Sequence, residues 1–183
     1  YIGEDKVDLA LHNFLMQYRY ANATNQVDAA DSTHGARALD GIYPDTRMLV
    51  AALRAQTPPE FQYLIDDGFN RIVLYDNKTI SATSRRLPNG KYEVTLNVQA
   101  RKVQADSNGV ESPMPLADYI EVGVFTGKID EEKPLYLQKE KFTREHQTFT
   151  IIVGQRPTRA GIDPYNKLID RDADDNMIDV TNR

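Results

Sequence analysis

The chain contains no cysteine and no tryptophan. The first absence removes disulfides, thiol nucleophiles and thiolate metal sites together. Histidine is nearly as scarce. His12, His34 and His146 are the three, and no two of them lie at helical or short-loop spacing, so a His-Glu-x-x-His zinc site is missing. No apolar run approaches the roughly 20 residues of a membrane-spanning helix, and stretches such as "TFTIIVG" are strand-sized. Basic charge is in deficit, with 22 Lys and Arg against 27 Asp and Glu and a net charge of -5. A phosphate-binding surface needs clustered cations, which the isolated pairs Arg85-Arg86 and Arg101-Lys102 do not supply, so nucleic acid is not an expected partner. There is no signal-peptide pattern, and an opening on Tyr1 reads as a piece of something longer.

Other catalytic signatures are missing too. No glycine-rich loop has Walker or dinucleotide spacing, and no G-x-S-x-G elbow occurs. Acid pairs such as Asp66-Asp67 occupy adjacent helix positions, which point apart. "DYIEVGVF" places Asp118 at a strand start and Glu121 on that strand's outer face, where solvated acids are expected. The 10 tyrosines mostly fall on apolar faces of the expected elements, and without tryptophan they make a poor carbohydrate platform. His12 reads as a boundary residue of a helix, His34 lies in a loop and His146 precedes a strand. No residue is assigned as catalytic, cofactor-binding or metal-binding on this basis.

What is present divides by period. With 183 residues, 40% of them hydrophobic, the chain can bury a real core in one domain or two small ones. In residues 1–72 the apolar spacing is helical. Val7, Leu11, Phe14 and Tyr18 recur at steps of four, three and four. The stretch "NATNQVDAADSTHGARALDG" has no period and reads as an exposed loop. A second helix is expected from about Asp45 to Gln56, with Leu49, Ala52, Leu53 and Gln56 on one face. Thr57-Pro58-Pro59-Glu60 reads as a capping box opening a third, in which the Thr57 hydroxyl accepts an amide and Glu60 reaches back. Phe61, Leu64, Ile65 and Phe69 would be its buried stripe.

From Arg71 onward the period falls to 2. "RIVLYD" and "KTISATSRRL" are strand-like, and Pro88-Asn89-Gly90 signals a hairpin because Asn and Gly tolerate positive φ. "KYEVTLNVQA" puts Tyr92, Val94, Leu96, Val98 and Ala100 on one face and polar residues on the other. "YIEVGVF", "PLYLQKEKF" and "QTFTIIVG" continue the series. The expectation is an α+β chain: about three helices in 1–72, then an antiparallel Ig-like β-sandwich of six or seven strands with a C-terminal tail in 73–183.

The tail "IDPYNKLIDRDADDN" raises a metal question. Taking Asp170 as position 1 of a calcium loop, Asp172 and Asp174 fit positions 3 and 5. Position 6 is Asp175 instead of glycine, and position 12 is Thr181 instead of the closing bidentate acid. The tail is therefore read as structural. Gly161 and Pro164 shape a turn, Tyr165, Leu168 and Ile169 anchor the chain end, and the aspartates are solvated.

Three stretches carry a resemblance. They are "ALHNFLMQYRYA", then "YPDTRMLVAALRAQTPPEFQYLIDDGFNRIVLYDNK", then "GKYEVTLNVQARKVQAD" with the terminal "RAGIDPYNKLIDRDADDN". The series resembles the C-terminal part of bacterial membrane proteins in which an ABC transporter permease region is fused to an aminopeptidase N-like (gluzincin) zinc metallopeptidase. The resemblance covers nearly the whole chain. It implies that 1–72 closes the peptidase catalytic domain and that the following β-sandwich braces it or docks a protein partner or a second copy. It implies zinc and hydrolase chemistry in the parent on a motif upstream of everything here, so this segment is expected to be no enzyme and to hold no cofactor. It also implies membrane spans elsewhere, no membrane contact by this segment, and a soluble, extracytoplasmic position. The alternative is an independent β-sandwich binding module for carbohydrate, protein or calcium, with Asp170, Asp172 and Asp174 as the calcium candidates.

Overall fold

A computed structural model describes residues 1–18, 44–127 and 133–182. The aperiodic stretch expected as a loop, with His34, lies outside these residues. The chain divides into two compact units, Tyr1–Asn70 and Arg71–Arg183.

The first unit is helical. Helix α1 (Glu4–Tyr18) opens with Glu4 and Asp5 in its first turn, where acids complement the helix dipole. Its inward stripe is Val7, Ala10, Phe14 and Tyr18; Ala10 is fully buried and Leu11, expected in the stripe, is exposed. The Phe14 and Tyr18 rings meet at 5.0 Å, a contact set by the i, i+4 spacing. Helix α2 (Thr46–Gln56) is capped by Asp45, whose carboxylate accepts from the Met48 N–H at 3.0 Å. The Arg47 guanidinium bound to Asp45 holds that carboxyl below its ordinary pKa. Helix α3 (Gln62–Phe69) follows a single 3-10 turn at Pro59–Phe61.

The expected capping box is not formed. Thr57 closes α2 instead: its N–H donates to the Arg54 carbonyl and its hydroxyl donates to the Leu53 carbonyl at 2.8 Å. With the hydroxyl turned back to α2, no side chain caps the turn at Pro58. Gln62 makes the junction, its amide donating to the Arg54 and Thr57 carbonyls at 2.9 and 2.5 Å. Of the expected α3 stripe, Ile65 is buried while Phe69 is exposed.

The second unit is an α+β chain's β half, a sandwich. Its nine strands are β1 (Ile72–Arg86), β2 (Tyr92–Ala105), β3 (Glu111–Pro113), β4 (Tyr119–Phe125), β5 (Tyr136–Lys141), β6 (His146–Val153), β7 (Arg159–Ile162), β8 (Met177–Asp179) and β9 (Thr181–Asn182). The expected strands are all present, and the two runs before Pro88 form one strand. The additional β3, β7, β8 and β9 are two to four residues long, too short to leave a period in the sequence; Gly161, expected to shape a turn, lies inside β7, paired with Gly123 and Met177. One sheet runs β3-β2-β1-β9 with β6 also on β2, and the other runs β5-β4-β7-β8. All pairings are antiparallel except that of β1 with β9.

The β1–β2 hairpin turns at Pro88-Asn89-Gly90 as expected. Gly90 has φ +82 and the Asn89 side chain accepts from the Lys91 N–H. A register shift between Thr79 and Ser81 leaves Ile80 exposed and changes the inward positions of β1 from Val73, Tyr75, Asn77 and Thr79 to Ala82 and Ser84. A bulge of one residue reverses side-chain parity in this way. The core is filled by Val94, Leu96, Val98 and Ala100 of β2, the alternation expected, against Ile120, Val122 and Val124 of β4 with Phe142, Ile151 and Ile162. Each fully buried Leu, Ile or Val contributes about 1.5–3 kcal/mol.

Candidate functional site

The alternation of β2 does not stop at Ala100. Lys102 continues the inward face and is 5% exposed. The hairpin register sets it opposite Tyr75, and Asp118, just before β4, completes a buried group. The Lys102 Nζ lies 2.8 Å from Asp118 Oδ2, and the Tyr75 hydroxyl donates to the same oxygen at 2.8 Å. The ammonium is 5.7 Å from the Tyr75 ring centre, within cation–π range. A buried charge is tolerated when paired and hydrogen-bonded, and these three side chains meet that condition.

Asp118 and Glu121 were expected to be solvated, and both are buried. Strand β4 is covered on both faces, because the segment after β7 folds over its outer side. Pro164 lies against Gly123, and the Tyr165 ring meets Phe125 edge-on at 6.3 Å. Lys167 from that segment pairs with Glu121 at 2.7 Å. A one-faced amphipathic strand would have wetted Glu121; the covering segment excludes water and supplies the cation.

Beside the Lys102 group, β2 changes partners from β6 to β3. A groove of about 440 Å³ opens there, lined in part by Lys102, Met114, Leu116, Arg144 and Glu145. Its lining combines apolar side chains with Arg101, Lys102, Arg144 and Glu145.

The tail uses its acids as backbone clamps. Asp163, at φ +42, accepts from the Lys167 and Leu168 N–H groups, each at 3.0 Å. Burial pushes its carboxyl above the ordinary pKa, with Glu121 and Asp170 adding to the shift and the two N–H groups opposing it. Asp170 accepts from the Asn77 N–H at 3.2 Å and the Asp172 N–H at 3.3 Å, and burial raises its pKa as well. Asp175 pairs with Lys78 at 2.7 Å. Thr79 donates its hydroxyl to the Asn176 carbonyl at 2.6 Å.

The calcium candidates thus have different surroundings. Asp170 is half-buried against β1, whereas Asp172 and Asp174 are exposed. Among the described residues no group of three or more His, Cys, Asp or Glu is arranged to hold a metal ion. His12 is exposed on α1, and His146 opens β6. The tail anchors divide likewise: Tyr165 and Leu168 pack inward, but Ile169 is exposed because its carbonyl, not its side chain, makes the contact, accepting from the Tyr75 N–H at 2.8 Å.

Sequence reasoning missed the Tyr75–Lys102–Asp118 group. The one available signal was Lys102 itself, an inward-parity lysine directly after Val98 and Ala100. No helix among the described residues is long and apolar enough to cross a membrane. No protein-family model matches the chain, and no curated protein matches it.

Proposed function

We propose that this chain is the non-catalytic C-terminal portion of a bacterial, membrane-anchored zinc aminopeptidase-like protein. In this reading the helices complete the wall of the peptidase domain, and the sandwich braces that domain or docks a partner outside the cytoplasm. Zinc and the catalytic residues belong to the parent. The motifs "LIDDGFNRIVLYDN" and "AGIDPYNKLIDRDADDN" motivate the family. The observation that carries the structural role is α1, which exposes Leu9, Leu11, Leu15 and Met16. A helix carrying that much outward apolar surface fits a second protein surface better than water.

The reading frame upstream of Tyr1 tests this. It is expected to encode a His-Glu-x-x-His motif and hydrophobic membrane spans, and a frame with neither overturns the proposal. The chain itself is expected to leave aminoacyl-anilides intact, and turnover lost on adding a chelator would contradict its non-catalytic role. A second reading, an independent binding module, is favoured by the groove beside Lys102. It predicts stabilisation by a carbohydrate or peptide ligand that Arg144→Glu abolishes in a thermal-shift titration.

A further inference from the structure

Two asparagines are fully buried in the seam between β1 and the tail. Asn77 and Asn176 are both 0% exposed; neither amide atom of Asn77 and not the side-chain oxygen of Asn176 has a hydrogen-bond partner within the chain, while the Asn176 NH2 faces only the Asp170 carboxylate, outside good hydrogen-bond geometry. Buried side-chain amides almost always find partners, because an orphaned donor or acceptor has lost its hydration without replacement.

Three contacts place the two side chains in one region. Asn77 and Thr79 share the inward face of β1, and the Thr79 hydroxyl touches the Asn176 carbonyl, so Asn176 lies over that face. The Asn77 N–H donates to Asp170. The Asn176 side chain lies beside the same carboxylate, close enough to favour its ionised form. The backbone is tight here: a Cβ on Gly161 would come within 2.0 Å of the Asn176 carbonyl oxygen and 2.7 Å of Thr79 Oγ1.

We propose that this seam is an internal hydration site, in which ordered water bridges the side-chain amides of Asn77 and Asn176. The chemistry of the amide atoms selects water over a metal ion. Two of the four are acceptors and two are donors. A cation would satisfy the oxygens and leave the Asn77 NH2 unpaired, whereas water donates and accepts.

Magnetic relaxation dispersion of the water 17O and 2H signals tests the proposal on the whole chain. The wild type is expected to show at least one water held longer than molecular tumbling. Asn77→Leu and Asn176→Leu are each expected to lower that amplitude. Should a leucine variant fail to fold, Asn77→Ser, which keeps a donor and acceptor but shortens the side chain, is expected to fold and retain or increase the amplitude. Absence of long-lived water in the wild type overturns the proposal. An amplitude that stays unchanged in folded Asn77→Leu and Asn176→Leu does so too. A thermal midpoint raised by millimolar calcium in the wild type, and not in Asn77→Leu, would replace water with a cation.

Discussion

The helical unit carries proportionately more apolar sequence than the sandwich, yet the two bury it differently. In the sandwich Val94, Leu96, Val98, Ile120, Val122, Val124, Phe125, Phe142 and Ile162 are all fully buried. Among the described residues of the helical unit the buried apolar side chains are Ala10 and Ile65. Two sheets face each other and bury period-2 residues between them. A helix buries only the stripe that a neighbour covers, and α1 carries apolar residues on more of its circumference than α2 covers. The sandwich is self-sufficient; the helices, on our proposal, await the peptidase domain.

Changes in the sandwich should therefore cost most. Asp118→Ala leaves the Lys102 ammonium buried without its acid and is expected to destabilise by about 3–5 kcal/mol. The double replacement Lys102→Met, Asp118→Leu removes both charges and is expected to recover most of that loss in urea denaturation. A double variant as unstable as Asp118→Ala would show that the pair does more than neutralise itself. Gly161→Ala drives a methyl into the Asn176 carbonyl and is expected to cost about 1–3 kcal/mol.

The tail sharpens the comparison at smaller scale. Asp170→Ala unpairs the Asn77 and Asp172 N–H groups and is expected to cost about 1–3 kcal/mol. The exposed Asp172→Ala and Asp174→Ala should stay within about 0.5 kcal/mol. Equal effects at all three would argue for a shared ion after all. Asp163 adds a pH dependence. Its folded pKa is raised, so the folded state keeps its proton over a window in which the unfolded chain has released it. Stability then falls as pH rises from the ordinary aspartate pKa through the raised one, and is level above. Asp170 contributes in the same direction. Asp163→Asn should flatten its share of that slope in urea midpoints measured across the acid range. Smallest of all, Leu11→Gln with Leu15→Gln should shift the isolated chain by about 0.5 kcal/mol or less, since neither side chain is buried.

Much of the fold was legible because period is a local property. The face of β2, the Pro88-Asn89-Gly90 turn and the Asp45 end of α2 each depend on residues within a few positions. The misses are all non-local. Thr57 could cap either flanking helix, and only the placement of Gln62 against Arg54 decides. Glu121 looked solvated because the segment covering it lies 42 to 46 residues later in the chain, at Asp163 and Lys167. The aspartates from Asp170 to Asp174 were all read as solvated because sequence adjacency hides that Asp170 turns to β1 while Asp172 and Asp174 turn to solvent. For the same reason Asn176 went unremarked behind the acids, although its side chain is the most enclosed in that run.

Native-state hydrogen exchange of the isolated chain, read by mass spectrometry, tests the contrast between the two units most directly. Peptides from β2 and β4 are expected to exchange only with global unfolding, and peptides from α1 orders of magnitude faster through local opening. Protection of α1 equal to that of β2 would contradict the account, because the helical unit would then need no partner to complete it.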